Sequence, residues 1–149
     1  MSVKSKSSKS AKIEFIVSAC LAGEECRYDC RAKTNEKIVK LVQEGRAISV
    51  CPEQLGGLST PRPPAELQKD GKILTNTGQD VTQEYDAGAK SAWDLVRNHP
   101  IKKAFLKSRS PMCGFNKIYD GTFKGQLTDG DGVYTAILKS KGIIIESID

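Results

Sequence analysis

Short apolar runs alternate with amphipathic stretches along this chain. Ile13–Ser18, Arg46–Val50 and Lys103–Leu106 are rich in β-branched and aromatic residues, are too short for helices, and run into turn-forming residues, so each predicts a strand. Helical spacing separates them. In Glu36–Val42, the residues Ile38, Leu41 and Val42 share one face, and Gly45 supplies a stop. Asp80 with Gln83 resembles a capping box, and Tyr85, Ala89, Ala92 and Val96 then recur at helical spacing before Pro100. A last helix is predicted over Gly132–Lys141, with Asp131 as its cap and Gly142 as its stop, followed by a strand at Ile143–Ile145. Asp70-Gly71 predicts a small hairpin. Cys51 to Glu66 holds Pro52, Gly56, Gly57, Pro61, Pro63 and Pro64, and is predicted to be a rigid loop without regular structure. Alternating strands and helices predict an α/β fold: a single domain with an open, mostly parallel sheet flanked by helices and one hairpin excursion.

The 149 residues suffice for one such core. No apolar run is long enough to cross a bilayer. The net charge of +5 is concentrated at one end, because residues 1–12 carry Lys4, Lys6, Lys9 and Lys12 and no acid. The remainder holds 19 basic and 18 acidic residues. A Lys/Ser-rich tail over 1–12 is therefore expected to be disordered, with one domain over 13–149. The near-neutral body argues against stable nucleic-acid binding and against a membrane partner. With no apolar stretch suited to a secretory signal, the expectation is a cytoplasmic protein with reduced thiols, and a homodimer is compatible with the sequence.

Three of the five cysteines, Cys20, Cys51 and Cys113, each lie just past a predicted strand in a loop rich in Gly, Pro or Ser. Ligands of open α/β sheets bind outside the carboxyl ends of the strands. Three thiolates meeting there without an obvious fourth partner suggest a metal or iron–sulfur site with one open position, zinc being the alternative to iron. No Cys-x-x-Cys pair is present, and His99 stands apart from the cysteine loops, which leaves a Cys–His nucleophile pair poorly supported. The Gly-rich pieces match neither a phosphate loop nor a dinucleotide fingerprint. Glu53 and Glu66 are acid–base candidates, whereas Asp29 and Asp120 read as turn acids. Ser110 can hydrogen-bond a substrate or a cluster sulfur. Arg27, Arg31, Lys33, Arg62, Lys107 and Arg109 can form a positive rim for a phosphate. Two other classes stay open: a non-catalytic metal-binding or redox-sensing module that adds Cys26 and Cys30, and a persulfide sulfurtransferase working through Cys113.

The motifs Ser18-Ala19-Cys20-Leu21-Ala22-Gly23, Cys26-Arg27-Tyr28-Asp29, Cys51-Pro52-Glu53, Gly56 through Glu66, Arg109 through Gly114 and Tyr119 through Phe123 occur in this order. Together they resemble the bacterial family known as domain of unknown function 523, some of whose members are thiouracil desulfidases. The resemblance implies a [4Fe-4S] cluster held by Cys20, Cys51 and Cys113, whose fourth iron is free to take the sulfur of a thiolated pyrimidine base, nucleoside or nucleotide. It also implies Glu53 as general acid/base and Ser110 as a hydroxyl that orients substrate or relays a proton. Arg62 and Arg109 are the expected substrate-binding residues. The chain departs from the family pattern at Cys30, where a glycine is expected.

Overall fold

The computed structural model describes residues 12–149. The expected disordered tail lies outside the described residues except for Lys12, which is exposed. Strand β1 (Phe15–Ser18) runs into one turn of 3-10 helix (Ala19–Ala22), then α1 (Glu36–Gln43), β2 (Ala47–Val50) and the short α2 (Pro52–Leu55). A hairpin of β3 (Ala65–Leu67) and β4 (Ile73–Thr75) precedes the long α3 (Thr82–Val96) and β5 (Lys103–Lys107). A second hairpin, β6 (Lys117–Tyr119) and β7 (Leu127–Asp129), is followed by α4 (Val133–Ser140) and β8 (Ile144–Ile148).

The sheet has the order β2-β1-β5-β8, and every pairing in it is parallel. Side chains alternate across it, as they must in a strand. Ile16, Ile48, Val50, Ala104 and Leu106 face one core with Tyr85, Ala89, Ala92 and Val96 of α3 and Tyr134 and Leu138 of α4. Phe15, Val17, Ala47 and Phe105 face a smaller core with Ile38, Leu41 and Val42 of α1. Both faces of the parallel sheet are thus covered. The chain passes from β1 to β2 on one side and later places β5 on the other side of β1. The strand order therefore reverses between β1 and β5, and a crevice opens beyond their carboxyl ends.

Several local expectations are corrected. The proline-rich stretch is not wholly irregular. Pro52 opens α2 at a helical position where no N–H is needed, and β3 begins at Ala65, just past the last proline. Asp80 and Gln83 make no capping box, because the Asp80 carboxylate accepts from the Thr82 N–H and hydroxyl, and α3 starts without a side-chain cap. Asp131 caps nothing. Its carboxylate accepts from the Asn116 N–H and Lys139, and Gly132 occupies the N-cap position of α4. The first N–H groups of α4 need acceptors all the same. They find them in a loop carbonyl row: Gly132 N–H donates to Gly114 O, Val133 N–H to Pro111 O and Tyr134 N–H to Met112 O, at 2.8–2.9 Å. Two hairpins stand where one was expected. Asp29 and Asp120 are turn acids as read, accepting from the N–H two residues on.

Candidate active site

The register aligns Ser18 with Val50 across β1 and β2, so the segments bearing Cys20 and Cys51 leave the sheet at the same edge. β5 continues two residues beyond its pairing with Val17, and the Lys107 N–H donates to Ser18 Oγ at 3.0 Å. Cys113 follows in the next loop. All three cysteines line one cavity of about 440 Å³ at the switch point, together with Cys26, Glu53, Arg62, Glu66, Tyr85, Lys107 and Ser110. That volume lies in the range of small-molecule sites.

Cys113 is deeply bedded. Its carbonyl accepts from the Thr135 hydroxyl at 2.9 Å, its N–H donates to Ser110 Oγ at 2.7 Å, and the start of α4 sits directly behind it. A Cβ on Gly132 would lie 2.4 Å from the Met112 carbonyl carbon and 2.7 Å from the Cys113 nitrogen, so only glycine permits this approach. Burial pushes the Cys113 thiol well above its ordinary range, with the Glu53 carboxylate adding to the effect. Cys20, also buried, is pushed up to about 11 for the same two reasons. Persulfide chemistry at Cys113 needs an exposed, readily ionised thiol, which this setting does not provide.

Cys51 differs. It is half-buried, and its Sγ lies 3.8 Å from the Cys26 carbonyl oxygen and 3.9 Å from Glu53 Oε1. The neighbouring Cys26 thiol lowers the Cys51 thiol and is itself raised. Glu53 sits in the first turn of α2, with its side chain 16% exposed, and burial raises its carboxyl above the usual range against the opposing pull of Arg62. α2 itself is fixed by backbone contact with α3. A Cβ on Gly88 would meet Pro52 O at 1.9 Å, and one on Gly56 would meet Glu84 O at 2.0 Å.

The two arginines expected at the substrate part company. The Arg62 side chain is 8% exposed; its guanidinium donates to Ser59 O, Thr60 Oγ1 and Cys26 O and stands 3.9 Å from Glu53 Oε2. It lines the cavity as a brace. Arg109 pairs with Asp149 at 3.3 Å and is not among the lining residues, whereas Lys107 and Arg27 are. Cys30 is exposed, lies outside the cavity, and has a φ of +63°, a conformation that favours the glycine expected there. Among the described residues no three His, Cys, Asp or Glu side chains converge tightly enough to hold a single metal ion. The sequence assigns no role at the site to Tyr85, Thr135, Ser18 or Phe123, although Ser18 and Phe123 lie within the family motifs. Tyr85 had a signal, but the same spacing reads as core. Thr135 and Ser18 act through contacts that only the tertiary structure creates.

Residues 15–148 match the family described as 2-thiouracil desulfurase. The chain is 44% identical over 137 residues to a protein of Bacillus subtilis (strain 168) named YbbK and described as uncharacterized, covering 86% of this chain and 91% of the relative. It also resembles a solved structure of the [4Fe-4S]-dependent thiouracil desulfidase TudS, with a TM-score of 0.84 and 46% identity over 91% of each chain.

Proposed function

The chain belongs to the 2-thiouracil desulfurase family, and from that premise we propose that it is a [4Fe-4S]-dependent, non-redox desulfidase. Its substrate is a thiolated pyrimidine, and one water is consumed to give the oxo base and hydrogen sulfide. The observation that carries this reading is the delivery of Cys20, Cys51 and Cys113 from three adjacent strands to one cavity beside Glu53.

The residues present fit the cofactor. The donors are three soft thiols, the ligand type of iron–sulfur clusters. They share one cavity without converging on a single point among the described residues, which suits a group several atoms across better than a lone zinc ion. When bound, the cluster supplies a Lewis-acidic iron with an affinity for sulfur, which weakens a thiocarbonyl bond. The remaining work falls to the chain. Glu53 Oε1, on the Cys51 side, takes the proton of the attacking water, and Arg62 holds the opposite carboxylate oxygen in place. The Ser110 oxygen accepts the Cys113 and Met112 N–H groups, and its own hydrogen is left to point at substrate. For a nucleotide substrate, the cations lining the cavity are Arg27, Arg62 and Lys107.

Turnover of 2-thiouracil by the anaerobically reconstituted protein tests the proposal. Glu53→Gln is expected to keep its iron and to lose roughly 10²- to 10⁴-fold in kcat, the usual worth of a positioned acid/base. Full turnover by that variant contradicts its role, and no turnover of any thiolated pyrimidine by the loaded wild type contradicts the function.

A further inference from the structure

Phe123 is a bulky residue in a backbone state that bulky residues avoid, with a φ of +59°. Such a conformation persists only when its surroundings hold it, and strain of this kind gathers at ligand clamps. The holder is Glu66. Its residue is only 8% exposed, and Oε1 accepts the Gly121 N–H at 2.9 Å and the Phe123 N–H at 3.1 Å. Gln68 Nε2, from the turn just past β3, adds a bond to Gly121 O at 3.2 Å. Burying a carboxylate is costly unless strong hydrogen bonds compensate. Here both bonds go to the backbone of one surface loop. Phe123 is left 36% exposed to solvent and lines the cavity alongside Tyr28 and Tyr119.

An aromatic residue held partly exposed at a cavity wall offers apolar surface to a bound molecule, and a flat heterocycle is suited to cover it. We infer that Phe123 is the surface on which the substrate's pyrimidine ring stacks, and that Glu66 is a positioning residue that holds Phe123 in place. The inference rests on the desulfidase reading and extends it to how the ring is recognised. Removing an aromatic stacking partner typically costs roughly 5- to 100-fold in affinity for a base.

The test compares anaerobically reconstituted wild type, Phe123→Leu, Phe123→Tyr, Glu66→Gln and the Glu66→Gln/Phe123→Leu double variant. Iron per chain, kcat and KM for 2-thiouracil are measured, together with calorimetric binding of uracil, the product ring. Phe123→Leu raises KM and weakens uracil binding by roughly 10-fold, while kcat stays within about 3-fold and iron is unchanged. Phe123→Tyr restores both values to within about 2-fold of wild type. Glu66→Gln shifts KM in the same direction, and the double variant is no worse than Phe123→Leu, because Glu66 acts through Phe123. An unchanged KM in Phe123→Leu, or additive effects in the double variant, overturns the inference while leaving the desulfidase reading standing. A loaded wild type that converts no thiolated pyrimidine overturns both.

Discussion

Two walls of the cavity hold their cysteines by different means. The Cys113 wall is locked by backbone: the carbonyls of Pro111, Met112 and Gly114 serve as acceptors for the start of α4, and Gly132 lies against the loop with no room for a Cβ. The Cys51 wall is held by side chains. Arg62 ties together the Cys26 carbonyl, the Ser59–Thr60 turn and Glu53, and the Cys51 thiol approaches the same Cys26 carbonyl at 3.8 Å. The first wall contributes to fold stability and holds Cys113 in a fixed place. The second is where protonation and charge are set, so errors there cost chemistry before they cost folding.

The sharpest break in this comparison is Gly132→Ala. A methyl group placed 2.4 Å from backbone atoms has no flexible neighbour to displace, and overpacking of this kind costs on the order of 3 kcal/mol. Thermal unfolding is expected to shift down by roughly 6–12 °C for a chain of this size. Iron uptake should fall with it, since the Cys113 loop must move. An unchanged melting temperature contradicts the backbone lock. Thr135→Val is the milder probe of the same wall. It removes the buried hydroxyl that donates to Cys113 O and should cost about 1–2 kcal/mol in denaturant unfolding while iron content is kept.

The smallest expected effect lies outside both walls. Cys30→Gly relieves a left-handed non-glycine residue, worth about 1–2 kcal/mol, against the roughly 0.5–1 kcal/mol entropic cost of glycine. A net gain near 0.5 kcal/mol is expected, with iron content unchanged. Loss of iron in this variant points instead to a ligand role for Cys30 and weakens the division between the walls.

Much of the site was legible in the sequence because its signals are local. Apolar runs upstream of Cys20, Cys51 and Cys113 predict strands, and the rule that parallel sheets bind ligands at their carboxyl ends predicts that the three meet. Glu53 and Arg62 sit beside those signals. The support of the Cys113 loop was not legible, because its acceptors are backbone carbonyls, which carry no residue identity. For the same reason Asp131, a good cap by type, was read as the cap of α4 although the loop already satisfies those N–H groups. Gly88 was invisible because its neighbour, Pro52, is far away in sequence. Arg62 and Arg109 look equivalent on paper. Only the fold places one against Glu53 and the other against Asp149.

The central claim is that Cys20, Cys51 and Cys113 hold one iron–sulfur cluster in this cavity. Anaerobic reconstitution with iron and sulfide, followed by iron quantitation and visible absorbance, tests it most directly on wild type and on the Cys20→Ser, Cys51→Ser and Cys113→Ser variants. The account predicts about four irons per wild-type chain, with the cluster lost or depleted in each variant. Iron binding indifferent to those three cysteines, or no iron binding at all, would contradict it.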